Sequence, residues 1–229
     1  MRKELLIYND LGVSEFFLPL LKSELGSFFK VSYIDKNKLL GGNWIKSTDT
    51  ILIPGGRDLY YHRELEELGN SLIRKFVEGG GNYIGICAGA YYGSSSIEFA
   101  KGTSLEIIEE RYLKLTDAIA TGPVLGLAFS YESNKTGRNL EIIYKSQNLS
   151  LTLDIYYNGG CTFKGIKDYI ALAFYKSEKE MPAIIYKKYG KGKVVLSGVH
   201  LECPLIDEKL HQKIKRQKII ADILKLLGH

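Results

Sequence analysis

Through the first ninety residues, short apolar runs bounded by turn residues alternate with stretches of helical spacing. "LLIY" (5–8) reads as a buried strand, and "SEFFLPLLKSEL" (14–25) as a helix that Ser14 can cap. "FKVSYI" (29–34) and "TILI" (50–53) are the next strands, the latter closed by Pro54-Gly55-Gly56. "RELEELGNSLIRKFVEG" (63–79) places Leu65, Leu68, Leu72, Ile73, Phe76 and Val77 on one side of a helix that stops at three glycines. "NYIGIC" (82–87) is a short, wholly apolar-to-small strand. Strands without polar alternation, separated by helices, predict a parallel sheet covered on both faces.

After Gly93 the period shortens to two. "LEII", "NLEIIYKS", "LSLTLDIYY", "YIALAFYK", "PAIIYKKYG" and "GKVVLSGVH" are β-rich, and "YGKGK" between the last two is a hairpin signal. These runs predict antiparallel additions to the same sheet in the C-terminal half, followed by a helix from about Pro204 to Leu227. The expected fold is α/β: a three-layer, flavodoxin-like sandwich with a mainly parallel central sheet. With neither repeat nor low-complexity linker, residues 1–229 read as a single domain.

Composition narrows the function classes. The 229 residues are 45% hydrophobic and 25% charged, ordinary for a globular chain. The net charge of +5 is modest, and Lys209, Lys213, Lys215, Arg216 and Lys218 fall on the polar side of the amphipathic C-terminal helix. No nucleic-acid or membrane-surface partner is expected from charge of this size. "MRKELLIYND" lacks a signal-peptide core and no segment approaches the ~20 apolar residues of a membrane span, so a cytoplasmic protein is expected. Cys87, Cys161 and Cys203 are too few and scattered for a disulfide framework or a metal knuckle, and neither metal nor cofactor is expected.

The candidate chemistry centres on "YIGICAGAYYG" (83–93). Gly85-Ile86-Cys87-Ala88-Gly89 fits a nucleophile elbow, in which a strand turns sharply into a helix and presents the nucleophile at the turn. Cys87 then lies at a helix N-terminus, where the dipole favours thiolate, and the Ala88 amide can face an oxyanion. A thiol needs a base and the base an orienting acceptor; His200 and Glu202, two apart after a strand, supply both types on one side of an extended chain. The turn at Gly56 can provide a second oxyanion donor, and Arg57 follows it. A buried structural cysteine and a strand-ending histidine are the plain alternatives.

P-G-G after the third strand, G-I-C-x-G at the next and H-x-E after the last together resemble the class I glutamine amidotransferase superfamily. More closely, "IPGGRDLYYHRELEELGNSLIRKFVEGGGNYIGICAGAYYGSSSIEF" is similar to the amidotransferase-like N-terminal domain of biotin-protein ligases and their stand-alone bacterial relatives, as are "YYNGG" (156–160) and "GVHLE" (198–202). The resemblance implies a Cys87-His200-Glu202 triad, an oxyanion hole from the Gly56 and Ala88 amides, and Asn158 on the wall of the site. It does not imply glutamine hydrolysis. Tyr91 stands where amidotransferases usually carry a substrate-holding glutamine, and Leu201 where proline is frequent. A biotin-ligase catalytic domain is not expected in this chain.

Two functions remain open at this point. One is a cysteine hydrolase acting on the C–N bond of a small amide or peptide, with Arg57, Tyr91 and Asn158 binding a substrate other than glutamine. The alternative is a catalytically silent module of the same fold that binds a ligand or regulates a protein partner. A weaker third reading places the chain in the intracellular-protease-like branch of the superfamily.

Overall fold

A computed structural model describes residues 3–127, 129, 136–177 and 181–229. The first half alternates as the apolar pattern requires: β1 (Lys3–Tyr8), α1 (Phe17–Leu25), β2 (Phe29–Ile34), α2 (Lys36–Leu40), β3 (Thr50–Ile53), α3 (Asp58–Glu78), β4 (Asn82–Ile86) and α4 (Ala88–Gly93). The remainder is almost all strand: β5 (Ser96–Phe99), β6 (Ile107–Glu110), β7 (Ala118–Gly122), β8 (Arg138–Lys145), β9 (Ser150–Tyr157), β10 (Thr162–Gly165), β11 (Ile170–Tyr175), β12 (Pro182–Tyr189) and β13 (Gly192–Ser197). The helix α5 (Leu210–Leu227) follows.

A nine-stranded sheet runs in the order β2-β1-β3-β4-β13-β12-β11-β8-β9, and a four-stranded sheet in the order β10-β7-β5-β6. The expectation of a mainly parallel sheet is corrected: the large sheet is mixed. β2, β1, β3, β4 and β13 are mutually parallel, whereas every pairing from β13 to β9 is antiparallel. The connections explain the division. The early strands are joined through helices, which return the chain in the same direction, while β12 and β13 are joined by the tight Gly190-Lys191 turn, which reverses it.

Both faces of the parallel half are buried. Along β1, Leu5 and Ile7 join the cluster that contains Leu18, Leu21, Ile219 and Ile223 of α1 and α5. Leu6 and Tyr8 join the cluster that contains Leu39 of α2 and Leu65, Ile73 and Phe76 of α3. Alternate residues of a strand point to opposite faces, so a strand apolar at every position is what a doubly covered sheet needs.

Three helix boundaries differ from expectation. α1 begins at Phe17 with no side-chain cap, and Ser14 lies upstream of it, where its amide donates to Gly55 O at 3.0 Å. α3 begins five residues early, at Asp58, and kinks at Glu66, which has φ 43° and ψ −156°. α5 begins at Leu210, not near Pro204; Arg216 holds the preceding irregular segment by donating to Leu201 O and Glu208. Strands β5, β7 and β10 carry too little periodicity for sequence to mark, and their pairing as a second sheet is a tertiary outcome. His62 and His229, which carry no partner pattern in the sequence, are packed. His62 lies against the Tyr112 ring, and His229 contacts Thr50, Asn82 and the Phe29 ring. No helix among the described residues is long and apolar enough to cross a membrane.

Candidate active site

Parallel pairing brings three strand ends to one edge. In register, Ile53 of β3 lies beside Gly85 of β4, and Ile86 of β4 beside Ser197 of β13. The residues that follow, Gly55-Gly56, Cys87 and His200, therefore emerge as neighbours, at the edge where open α/β sheets place their ligands. The edge strand β9 returns to this point: Tyr156 bridges His200, whose amide donates to Tyr156 O at 3.1 Å. Asn158, directly after β9, arrives with it.

Cys87 has φ 51° and ψ −104°, a conformation that costs a non-glycine residue on the order of 1–3 kcal/mol. Its surroundings hold it there. The Cys87 amide donates to Ser197 O at 2.7 Å, and Cys87 O accepts from Ala90 and Tyr91 in the first turn of α4. The flanking glycines are sterically required: a Cβ on Gly85 would lie 2.3 Å from Gly89 O, and one on Gly89 2.0 Å from Ile53 O. The strand-to-helix turn read from the sequence is thus present, with a strained cysteine at its apex.

His200 is 1% exposed and Glu202 3%. His200 Nδ1 lies 2.8 Å from Glu202 Oε1, which selects the tautomer or charge state with a proton on Nδ1. The Phe17 ring stacks on the imidazole at 4.2 Å between centroids and 12° between planes, and Tyr156 meets it edge-on at 5.6 Å. Burial opposes charge on this imidazole most strongly, yet the Glu202 carboxylate and the nearby Cys87 sulfur outweigh it and push the group up to about 10. Cys87 acts on the imidazole through a hydrogen-bonding contact as well as through charge, although that contact falls short of full hydrogen-bond geometry at Nε2, and Sγ donates to Asn158 O at 3.6 Å.

Cys87, His200, Gly56, Ala88, Arg57, Tyr91 and Asn158 all line one cavity of about 210 Å³, so every one of these residues singled out from the sequence reaches the same place. Among the described residues, neither the Gly56 nor the Ala88 amide donates a hydrogen bond. Gly56 has φ 149°, and a Cβ there would fall 1.9 Å from Gly12 O. Tyr91 is buried, with its hydroxyl pushed well above its usual range by burial, and donates to Gly159 O at 3.1 Å. Asn158 Oδ1 accepts from Thr136 at 3.3 Å.

Sequence reasoning did not find Phe17, Phe99 and Phe129, which supply apolar wall, or Tyr60 and Arg63 on the first turns of α3. Nothing local marks Phe17; it meets His200 only because α1 packs across the sheet edge. Asp58, next to Arg57, both lines the cavity and forms an ion pair, with the distant Arg111. It accepts from the fully buried Arg111 Nε at 2.8 Å. Burial pushes the Asp58 carboxyl up, against the pull of that guanidinium. Tyr92 and Glu98, just beyond the elbow, do not line this cavity.

Over residues 3–228 the chain matches the family described as biotin-protein ligase, N terminal. The chain belongs to this family. It is 33% identical over 239 residues to a biotin–protein ligase of Schizosaccharomyces pombe, an alignment covering 97% of this chain and 37% of that protein. It is 32% identical over 224 residues to an uncharacterized protein of Chlamydia muridarum, covering 91% of this chain and 85% of that one. The chain therefore spans little more than a third of the yeast ligase but most of the bacterial relative. Among solved structures, a putative GMP synthase subunit from Thermoplasma acidophilum superposes with a TM-score of 0.56 over 100% of this chain and 99% of its own, at 13% identity. At that identity the likeness concerns the fold alone, which is amidotransferase-like. In this member of the biotin-protein ligase N-terminal family, the elbow Cys87, His200 backed by Glu202, and Gly56 and Ala88, whose amides donate no hydrogen bond among the described residues, meet at one cavity that Cys87, His200, Gly56 and Ala88 line.

Proposed function

We propose that the domain is a cysteine hydrolase acting on the C–N bond of an amide or small peptide, through Cys87, His200 and Glu202. The observation that carries this reading is the strained Cys87 at a cavity that it shares with a buried imidazole held on its far nitrogen by Glu202 at 2.8 Å. An imidazole with a raised pKa is a strong acceptor for the thiol proton. In the proposed cycle, Sγ bonds to the amide carbon as its proton passes to His200 Nε2, and the carbonyl oxygen becomes an oxyanion facing the Gly56 and Ala88 amides. The C–N bond then breaks and the amine leaves with the proton from Nε2. Water, deprotonated by the same nitrogen, hydrolyses the thioester and returns the thiol.

Tyr91 argues against glutamine as substrate. Its buried ring is fixed by Phe99, at 5.7 Å edge-on, and by the hydrogen bond to Gly159. It keeps its place on the cavity wall rather than swinging clear, and it offers no amide to a substrate. The decisive experiment is ammonia or amine release from a panel of amides by wild type and Cys87→Ala. Turnover of some amide, lost in the variant, supports the proposal. Cys87-dependent release from glutamine would overturn the exclusion of that substrate.

One observation favours a second reading. Sγ points to Asn158 O and leaves His200 Nε2 without a partner among the described residues. A site resting in that arrangement suits a module that binds a ligand or regulates a protein partner without turnover. Binding of an amide with no Cys87-dependent product over prolonged incubation would support it.

A further inference from the structure

The walls of the cavity carry an asymmetry of charge that the proposed triad does not use. Arg57, the extended residue just before α3, and Tyr60 and Arg63 in its first two turns all line the cavity. Tyr60 and Arg63, three apart on the helix, share one face. The acidic residue among the described lining, Asp58, is already engaged: the fully buried Arg111 donates to it from Nε at 2.8 Å and to Glu109 from Nη1 at 2.8 Å. The neighbouring His200 carries its own counter-charge in Glu202. Arg57 makes a further contact of its own, so the charge offered to a ligand is chiefly that of Arg63, which is exposed and reaches the cavity from the second turn of α3.

We infer that the substrate of this site bears an anionic group, a carboxylate beside the amide to be cleaved, seated against the Arg63 side of the cavity. The inference rests on the cysteine-hydrolase reading, since it treats the cavity as the substrate site. An arginine fork matches a carboxylate in planar, two-point geometry, and a partly enclosed wall screens the attraction less than open solvent does. The apolar side chains that also line the cavity, Phe17, Phe99 and Phe129, would take the apolar remainder of the same molecule.

The test measures how Cys87 selects among thiol reagents of different charge. The full chain is treated with neutral iodoacetamide, anionic 2-sulfonatoethyl methanethiosulfonate and cationic 2-(trimethylammonium)ethyl methanethiosulfonate. Each rate is followed at Cys87 by peptide mass spectrometry and divided by that of free 2-mercaptoethanol. We expect the anionic reagent to be favoured over the cationic one by about threefold or more at low salt, a preference that shrinks several-fold by ~0.5 M salt. Arg63→Gln should lower it by about half or more, and Arg63→Lys should retain most of it, because the charge is kept while the fork is lost. Equal normalised rates for the two charged reagents, a cationic preference, or an anionic preference untouched in Arg63→Gln would overturn the inference while leaving a reactive Cys87 intact. Failure of all three reagents to modify Cys87 would overturn the hydrolase reading and this one with it.

Discussion

Replacing Glu202 by Gln separates the two forces that set the charge of His200. Burial drives the imidazole down, and the carboxylate 2.8 Å from Nδ1, helped by the Cys87 sulfur, reverses that, so the group is raised to about 10 from the ordinary 6.5. Glutamine keeps the size and can still accept from Nδ1–H, but it brings no charge. Burial, then opposed chiefly by the Cys87 sulfur, weighs more heavily, and the titration midpoint is expected to fall well below that of wild type. A change of about three pH units corresponds to on the order of 4 kcal/mol between the two protonation states. The consequence for stability has a definite sign. A histidine raised in the folded state contributes fully below its unfolded value near 6.5 and loses that contribution as pH climbs to about 10. Glu202→Gln should therefore be most destabilised relative to wild type near pH 6, with the gap closing towards pH 10. Histidine Cε1 resonances followed by NMR give the midpoint, and denaturant unfolding at pH 6 and 9.5 gives the gap. A midpoint within one unit of wild type, or a gap that widens with pH, would show that Glu202 does not govern this charge.

Further outcomes follow from the same packing. Near pH 7.5, iodoacetamide should label Cys87 while sparing Cys203, whose thiol burial pushes up to about 12, and the fully buried Cys161, raised well above its usual value; equal labelling in the folded protein counts against Cys87 as the accessible nucleophile. Gly56→Ala places a Cβ where Gly12 O stands 1.9 Å away and should cost about 2 kcal/mol or more, lowering Tm by roughly 4–8 °C in a scanning calorimeter. An unchanged Tm would mean that the turn is more compliant than its contacts indicate. Tyr91→Phe removes the donor to Gly159 O and should lower stability by about 1–2 kcal/mol in urea unfolding, while leaving Cys87 reactive. No measurable loss would mean that the carbonyl finds another partner.

The legibility of this protein follows the range of the forces involved. Residues 5–8, 50–53 and 82–86 are apolar at nearly all successive positions, a pattern set by burial on both faces, so the parallel strands and the helices between them could be read from local order. The elbow was equally local. A strand cannot turn into a helix within one residue unless its flanks carry no side chain, and Gly85 and Gly89 state that in the sequence. His200 and Glu202 could be paired because two residues of extended chain place them on one side.

What sequence left undecided depends on contacts between distant segments. The order of β8, β9 and β11 along the sheet, and the gathering of β5, β6, β7 and β10 into a second one, depend on which edges remain unpaired once the parallel core has formed. Phe17 on His200, Asp58 on Arg111 and Asn158 O on the Cys87 thiol likewise arise from packing between elements remote in sequence. Local pattern determined which elements form and where the nucleophile turn lies. Only the tertiary structure decided what surrounds that turn, because burial and electrostatic pairing act through space and not along the chain.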